Sequence, residues 1–521
     1  MVGLPNRTGR CTICKRMKIK CDLSRPACSR CRQLGRRCEY PIVQQGQIFI
    51  NRDVTNPFVK ALDVFSNASK TKLREKSVPK QAAVSYACHF ETLKHSIPNS
   101  PDPDPVYMVQ LLSNFMGVYH PEVAQDPIRA GQTPASWVHL LPDITLTDSA
   151  YNASLAALCV EQLGSWYHDP VLVRDSSRLY GSALRELRKT IGGRKLVAPD
   201  ATLANVVLLS TYEQFSSSAG QDSRWASHVQ GGSHLLQLLG PGVHETPVGR
   251  LLFAKLRTMI IFHACRTRQT SILIGLQWPH RVDIGETHGL YCHLQDLMTQ
   301  LPAIMELLDK TAERSGLVQL LQSCLSLNEQ LLAWNEKLSD QVHGQLYWIV
   351  PSVARSPADD PVLGRIFPLA FQFPNLGIAQ LLLMYWSMLV LLYRTIQDIQ
   401  KRLKKQLASD ASIQQSSGHQ DRDRSELCSD HSHPSNEQIS LLANNISQSF
   451  EYCYHTKSGT HGLQSTIFPR WVAQSFYESQ SDKGQELAWC SELGNMTAPD
   501  SQFDLFVMKL GDNGSEGSCR D

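Results

Sequence analysis

Six cysteines near the N-terminus have the residue type and spacing of a metal site. They form two units of the pattern C-x2-C-x6-C, separated by six residues. The six are Cys11, Cys14, Cys21, Cys28, Cys31 and Cys38. Tetrahedral zinc takes four thiolates at about 2.3 Å, so two ions need eight sulfur contacts. Six sulfurs can hold two Zn²⁺ ions only if two of them bridge, and the pseudo-symmetry of the repeat indicates Cys11 and Cys28 as the bridges.

A disulfide knot is the alternative use of six closely spaced cysteines, since small secreted domains are built that way. The N-terminal sequence Met-Val-Gly-Leu-Pro-Asn-Arg has no apolar segment typical of a secretion signal. A reducing compartment keeps thiols available for metal. We therefore expect zinc rather than disulfides.

Basic residues surround these cysteines. Between Arg7 and Cys38 there are eleven Lys and Arg residues and one acid, Asp22, whereas the net charge of the whole 521-residue chain is only +3. Positive charge concentrated in this way is typical of a module that binds phosphate groups. We expect this segment to bind nucleic acid, with an affinity that falls steeply as the salt concentration rises.

The same stretch resembles the fungal Zn(2)-Cys(6) binuclear-cluster DNA-binding domain. The resemblance rests on residues 18–22 (Lys-Ile-Lys-Cys-Asp), on Pro26 before the fourth cysteine, and on residues 37–40 (Arg-Cys-Glu-Tyr). It implies a nuclear protein whose first short helix enters the major groove of double-stranded DNA at a CGG-type triplet. Met17 departs from the family pattern, because a basic residue often stands at that position.

The resemblance also assigns roles to basic side chains. Lys18 becomes the residue predicted to read a base, since a lysine can donate to guanine O6 and N7. The residues predicted to contact phosphates, which position the module without specifying sequence, are Lys15, Arg16, Lys20, Arg30 and Arg32.

The rest of the chain has the apolar periodicity of helices. One stripe at steps of three and four residues consists of Leu317, Leu320, Leu321, Cys324, Leu327, Leu331 and Trp334. A second stripe consists of Leu203, Val206, Val207, Leu209 and Tyr212, with Asp200 as a predicted N-cap. Long alternating strand patterns are missing. The sequence predicts an all-α fold, in which a small two-zinc, six-cysteine cluster domain is followed by a large multi-helix regulatory domain.

Residues 202–268 carry a second resemblance. They contain a Trp225-x2-His228-x2-Gly231-Gly232 run and a later Gly240-Pro241 pair, and Ser136-Trp137, Trp334 and Tyr385-Trp386 lie outside them. Together these residues resemble the fungal-specific transcription factor domain, the regulatory middle region of such proteins, over most of residues 106–400. We expect a hydrogen-bonded structural role for His228, and close helix approach at Gly231 and Gly232.

Catalytic motifs are missing from the sequence. There is no G-x-S-x-G elbow, no G-x-x-x-x-G-K-[ST] loop and no H-E-x-x-H pair. The remaining nine cysteines form no C-x2-C pair and are interpreted as small buried apolar residues or incidental thiols. The sequence therefore does not indicate an enzyme.

Composition divides the chain into five predicted segments. The cluster domain spans residues 8–41, and a linker with short helices spans 42–105, where apolar residues do not keep three heptads of a coiled coil. The helical regulatory domain spans 106–405, a polar disordered loop 406–438, and C-terminal helices 439–521. A run that mixes acids and aromatics, residues 500–506, is either a segment that activates transcription or part of a final docked helix.

Residues 376–393 are the most apolar stretch and approach the length of a membrane span. Gln380, Ser387 and a central Trp386 favour a core helix instead, with the basic run 401–405 predicted to close it. We expect no membrane association.

These expectations favour a nuclear regulator of RNA polymerase II genes that binds CGG-type triplets and controls a metabolic gene cluster, for example for secondary metabolism. The expected partners are double-stranded DNA and the transcription machinery or coactivators, and self-association would use the helical domain. The alternative is a helical scaffold or co-repressor with only weak, non-specific attachment to DNA.

Overall fold

The structure is a computed structural model. It describes Cys14 and residues 21–22, 28–34, 105–121, 134–144, 148–192, 199–216, 221–275, 286–342, 344–362, 364–414 and 434–505. The chain divides into two compact units, Met1–Asn99 and Ser100–Asp521. In the first unit the described helix is α1, Ser29–Gln33.

The second unit is helical, as the sequence predicts. Its described helices begin with α2 Pro105–Tyr119, α3 Ser149–Trp166, α4 Pro170–Ile191, α5 Pro199–Phe215, α6 Gln221–Leu239 and α7 Pro247–Thr267. The remaining helices are α8 Glu286–Met298, α9 Gln300–Lys310, α10 Arg314–Gln341, α11 Leu376–Gln414, α12 Asn436–Gln448, α13 Phe450–Cys453, α14 Gly459–Glu478 and α15 Gly484–Ser491. Short 3-10 helices are Pro134–Asp143, Gly240–His244, Ile272–Gly275, Thr456–Ser458 and Leu493–Asn495.

Among the described residues, one small antiparallel sheet interrupts the helices. Strands β1, Trp348–Pro351, and β2, Leu369–Gln372, pair with Trp348 opposite Gln372. The absence of long alternating patterns predicts an all-α fold, which is confirmed, but four-residue strands are too short for such a pattern to reveal. The sheet is therefore an addition that the sequence did not predict.

Helix α5 lies in the core of the second unit. All its residues from Ala201 to Phe215 are buried, and it packs against α3, α6 and α7. A helix that is buried on every side is a core helix rather than a surface one. Asp200 is not the N-cap we predicted, because it lies within the first turn of α5. Its carboxylate instead accepts a hydrogen bond from Thr246 Oγ1 at 2.7 Å, and Thr246 caps α7.

The stripe predicted on α10 faces the core. Its fully buried members are Leu317, Cys324, Leu327, Leu331 and Trp334, each 0% exposed. Leu320 is also buried, and Leu321 is half-buried at the margin of the stripe. The indole of Trp334 donates from Nε1 to the backbone oxygen of Leu290 on α8 at 3.0 Å. The periodicity therefore identified the face of α10 that packs inward.

Helix α11 is long and apolar enough to cross a membrane, by length and composition alone, over Leu376–Ala408. However, 94% of its most apolar window is buried within the protein, as expected of a core helix. The basic run 401–405 does not close the helix, which continues to Gln414. Residues 406–414 are consequently helical, and the disordered loop predicted from 406 is wrong there.

The C-terminal helices pack back onto the unit, as predicted. Helix α12 begins earlier than expected, because Ser435 and Gln438 form a capping box before Asn436. Helix α14 packs against α11, α12 and α2. Apolar side chains hold α14 in place, since it buries Leu463 and Phe468, both 0% exposed.

The acidic and aromatic run is docked, at least as far as Leu505. Phe503 is 1% exposed and stacks on Tyr454 with 4.9 Å between ring centroids. The backbone nitrogen of Gln502 donates to the oxygen of Tyr454 at 2.9 Å. The prediction of a docked segment is right for residues 500–505, but the prediction of a helix there is wrong, and a role in activation stays a prediction. Phe506 lies outside the described residues.

The two adjacent glycines of α6 differ in the space available for an added Cβ. A Cβ on Gly232 would lie 2.9 Å from Leu256 Cδ1 and 3.0 Å from Val206 Cγ1, so Gly232 permits the close approach that we predicted. A Cβ on Gly231 would meet nothing within 4 Å, so the same prediction is wrong for Gly231. His228 on this helix has the structural role expected, with Nε2 2.8 Å from the hydroxyl oxygen of Tyr180.

Candidate metal centre and nucleic-acid interface

Three cysteine sulfurs converge in the first unit. The Sγ atoms of Cys14, Cys28 and Cys31 all lie within 4.8 Å of one another, and the three side chains are buried. The Sγ atoms of Cys14 and Cys28 are 3.7 Å apart, well beyond the disulfide bond length of about 2.05 Å. This separation is too long for a disulfide between them.

A second group of donor atoms shares one of these sulfurs. Cys21, Asp22 and Cys28 also have donor atoms within 4.8 Å of one another. Cys28 is therefore the member common to both groups. Membership of both groups is what the predicted bridging role of Cys28 requires, and that role stays a prediction.

The start of α1 holds Cys28 and Cys31 in place. Cys28 is the N-cap of the helix, and its Sγ accepts from the backbone nitrogen of Cys31 at 3.4 Å. Two intervening residues thus bring both sulfurs to the same end of one helical turn. This is the physical reason that C-x2-C spacing suits a tetrahedral ion.

Asp22 has a supporting role that the sequence analysis missed. Its carboxylate accepts from the backbone nitrogen of Ser29 at 3.1 Å and from the Ser29 hydroxyl at 2.5 Å. Asp22 therefore fixes the first turn of α1 beside the cysteines. The sequence did contain a signal for this role, because Asp22 directly follows Cys21 and lies a few residues before a helix start. A carboxylate at such a position can accept from the free backbone N–H groups of the first helical turn.

The donor set fits a structural zinc. The described donors are the thiols of Cys14, Cys21, Cys28 and Cys31 and the carboxylate of Asp22, and three of the thiols are buried. Soft sulfur ligands in a buried site are typical of structural rather than catalytic zinc. Cys11 and Cys38, the other two predicted ligands, lie outside the described residues.

The interface with nucleic acid is described only in part. Arg30 and Arg32 lie on α1 with exposed side chains, on either side of the buried Cys31. Their side chains are thus at the surface while the helix holds its cysteine inward. The other predicted DNA contacts, Lys15, Arg16, Lys18 and Lys20, lie outside the described residues.

Cysteines in the second unit serve a different purpose. Cys159, Cys265, Cys453 and Cys490 are fully buried, and burial raises the pKa of Cys265 and of Cys490 to about 12. Thiols with raised pKa values stay protonated and unreactive. In the described part of this unit no three His, Cys, Asp or Glu side chains lie close enough to hold a metal. These cysteines act as small apolar residues, as predicted.

Two family models match the chain. The fungal Zn(2)-Cys(6) binuclear cluster domain matches residues 10–47, and the fungal specific transcription factor domain matches residues 116–433. The second match covers more than half of the chain.

Two curated proteins are similar over shorter stretches. An uncharacterized transcriptional regulatory protein of Schizosaccharomyces pombe is 29% identical over 91 residues, which are 17% of this chain and 16% of that protein. Transcription factor FUP7 of Fusarium proliferatum is 43% identical over 53 residues, which are 10% of this chain and 19% of that protein. The chain thus matches less than a fifth of each relative's length. No solved structure matches the chain.

Proposed function

This chain belongs to the fungal specific transcription factor family, and from that premise we propose that it is a nuclear regulator that binds specific DNA sequences upstream of RNA polymerase II genes. The proposal includes no catalysis, because both matching families consist of transcription factors rather than enzymes. Control of a metabolic gene cluster, for example for secondary metabolism, belongs to the same proposal.

The observation that carries this function is the position of Cys28. Its sulfur belongs to both groups of donor atoms, and the helix that it caps presents Arg30 and Arg32 to solvent. We assign two zinc ions to Cys11, Cys14, Cys21, Cys28, Cys31 and Cys38, with Cys11 and Cys28 as bridges. Bound zinc would supply cross-links that replace a hydrophobic core in this small unit.

DNA recognition would then divide between two kinds of side chain. Lys18 would donate to guanine O6 and N7 of a CGG-type triplet. Lys15, Arg16, Lys20, Arg30 and Arg32 would contact phosphates, and so set affinity and register without reading sequence. Coactivators or the general transcription machinery would be the protein partners, and self-association would use the helical unit.

The test compares two duplexes and two variants. Full-length protein is titrated against a duplex with a CGG triplet and against one in which the triplet is replaced, with fluorescence anisotropy as the readout. Lys18→Ala should weaken binding to the CGG duplex by about tenfold or more, since a good base contact contributes about 1–3 kcal/mol of discrimination. Binding to the other duplex should change little.

Arg32→Ala is the matched control for a phosphate contact. It should weaken binding to both duplexes by the same factor and lower the slope of log K against log salt by about one. Equal affinity of the unaltered protein for the two duplexes would overturn the proposal. That result would instead favour a helical scaffold or co-repressor with non-specific DNA attachment.

A further inference from the structure

An open cavity at the surface of the second unit is lined by two arginines. Its volume is about 540 Å³, and its lining residues are Val353, Arg355, Arg365, Thr497, Ala498 and Pro499. The backbone nitrogen of Arg355 donates to the oxygen of Thr497 at 2.8 Å, and the nitrogen of Thr497 donates to the oxygen of Arg355 at 3.1 Å. Because these backbone groups already pair with each other, a ligand in the cavity would be recognised by side chains.

Neither arginine of this cavity forms an ion pair with a residue that the structure describes. Two acids close to it are engaged by backbone amides instead. Glu451 accepts from the nitrogen of Ala354 at 3.2 Å, and Asp359 accepts from the nitrogen of Ile366 at 3.2 Å. Two arginines without acidic partners at one cavity favour an anionic ligand, because the planar guanidinium group matches a carboxylate in shape and charge.

The chain that leads into the cavity turns alternate side chains outward. The exposed members of this alternation are Ile349, Pro351, Val353 and Arg355. Between them, Ser352 is 7% exposed and Ala354 is 4% exposed. The segment therefore buries small side chains and presents larger apolar ones to solvent.

This alternation is the reverse of what the hydrophobic effect favours, because an extended segment normally turns its apolar side chains toward the core. Ile349 is 59% exposed and Val353 is 51% exposed. Leu369 on β2 lies opposite Pro351 and is 43% exposed, so the apolar surface continues across the sheet. Contiguous exposed apolar side chains mark surface that binds a partner. We name this surface the hairpin face and define it by Ile349, Pro351, Val353, Arg355, Arg365 and Leu369.

The shape of the hairpin face favours a peptide over a small molecule. Four residues of the cavity are exposed, so the cavity is an open groove; they are Val353, Arg355, Thr497 and Pro499. A small ligand needs a site that buries about 70–90% of its surface. An extended peptide needs only a face of matching length, and residues 349–355 span about 20 Å at about 3.3 Å per residue.

The charge of the hairpin face disfavours two other partners. A two-fold contact between copies of this chain would bring the same patch of each copy together, so arginines would meet arginines. An anionic membrane surface is typically bound by clusters of about four to eight basic residues, whereas this face has Arg355 and Arg365. An acidic segment of another protein fits both the charge and the shape.

We propose that the hairpin face docks an extended segment of another protein, in which apolar side chains adjoin acidic ones. The apolar side chains would cover Ile349, Val353 and Leu369. The carboxylates would pair with Arg355 and Arg365. The inference rests on the proposed function and deepens it, since the partner would be a coactivator or a component of the transcription machinery that carries such a segment.

The probes for the test are two fluorescein-labelled peptides of about twelve residues, long enough to cover the face. One half of each peptide alternates Val with Thr, and the other half alternates Glu with Ser. The peptides differ in which half comes first, so both chain directions are tested. Fluorescence anisotropy with the full-length protein should detect binding of at least one peptide. The same peptide with Gln in place of Glu should bind at least about tenfold more weakly.

A double variant, Arg355→Gln with Arg365→Gln, should weaken binding of the acidic peptide by at least about tenfold. Its matched control is Arg174→Gln with Arg188→Gln, which removes the same charge from two exposed positions on α4. The control should leave peptide binding unchanged. Val353→Ser should weaken binding by about threefold or more, because it removes apolar contact area.

Far-UV circular dichroism verifies that each variant is folded. Absence of peptide binding, or equal binding by the folded double variant and its control, would overturn the proposal. A dimer in sedimentation that Val353→Ser dissociates would also overturn it, because a second copy would then cover the face. Binding to phosphatidylserine vesicles that the double variant abolishes would do the same in favour of a membrane. The experiment contains no DNA, so its failure leaves DNA recognition to be judged by the duplex titration.

Discussion

The two units of this chain are stabilised in contrasting ways. In the first, the buried described side chains are cysteines, Cys14, Cys28 and Cys31, gathered around shared sulfur contacts. In the second, large apolar side chains such as Trp334 and Phe468 fill the interior. A short chain cannot bury enough surface to fold by the hydrophobic effect alone, whereas a long one can. The contrast teaches that the described cysteines are grouped so that they could hold a metal in one unit, whereas the buried cysteines of the other unit are small apolar residues.

Removal of the metal should have the largest difference in effect between the two units. We expect a strong zinc chelator to unfold the first unit and abolish DNA binding, since a structural zinc contributes about 10–16 kcal/mol to small metal-dependent folds. Helical circular dichroism and the melting of the second unit should be unchanged, because no three His, Cys, Asp or Glu side chains among its described residues lie close enough to hold a metal. DNA anisotropy and a thermal melt, measured on one chelated sample, check both parts. Unchanged DNA affinity after verified zinc loss would contradict the claim that the first unit needs metal in order to fold.

Loss of a core aromatic should have the converse effect. Trp334→Ala removes a side chain that is 0% exposed, together with the indole N–H that donates to the oxygen of Leu290. We expect the second unit to lose about 3–5 kcal/mol of unfolding free energy. The zinc content of the purified protein should not change.

Leu332→Ala is the control for this variant, because Leu332 is 44% exposed on the same helix. Its effect on denaturant unfolding should stay within about 0.5 kcal/mol. Similar losses for the two variants would show that α10 does not pack by the face described.

The pH dependence of stability should sharpen the comparison further. Burial raises the pKa of Glu161 from 4.5 to about 7, although Ser176 donates a hydrogen bond to it. An acid whose folded pKa is raised stabilises the fold only while protonated, so its contribution is lost as pH rises from about 4.5 through 7. Glu161→Gln should therefore stabilise the second unit by about 3 kcal/mol above pH 7, and by little below pH 4.5. Urea unfolding at several pH values measures this.

Glu186 on α4 provides a control of opposite sign. The hydrogen bond and charge of Lys189 lower its pKa, so its contribution to stability is present above the unfolded pKa and lost as pH falls. Glu186→Gln should consequently reduce stability slightly at neutral pH. A gain in stability above pH 7 in both variants would contradict the assignment for Glu161.

Adjacent glycines give the smallest expected effects. Gly232→Ala should destabilise the second unit by about 1–3 kcal/mol, because the added Cβ would press on Leu256 and Val206. Gly231→Ala should stabilise it by about 0.5–1 kcal/mol, since the site is open and alanine favours a helix. Thermal melts of the two single variants check both signs, and effects of the same sign would contradict the packing described for α6.

The sequence predicted most where chemistry restricts the residue type. Only cysteine supplies a thiolate, so the C-x2-C-x6-C repeat was enough to predict a metal site. The sulfurs of Cys14, Cys28 and Cys31 do converge in the structure. The period of the α10 stripe identified its buried face for a similar reason, since a helix repeats every 3.6 residues. Nothing local distinguishes Gly231 from Gly232, because only the neighbouring helices decide which of them has room for a Cβ.

The sequence predicted least where distant contacts override local preference. Arg402 and Gln406 on α11 donate to the backbone oxygens of Leu308 and Ala312, so a polar stretch stays helical beyond the basic run. The strands β1 and β2 lie far enough apart in the chain that neither predicts the other. Docking of Phe503 on Tyr454 likewise depends on a helix formed earlier in the chain.

The buried sulfur of Cys28 has a consequence for damage to the protein. In the arrangement that we propose, oxidation or alkylation of this one atom would take a ligand from both ions at once, and the pair would be released together. The same atom is fully shielded, with 0% exposure. The first unit thus keeps this proposed bridging sulfur out of reach of electrophiles for as long as it remains folded.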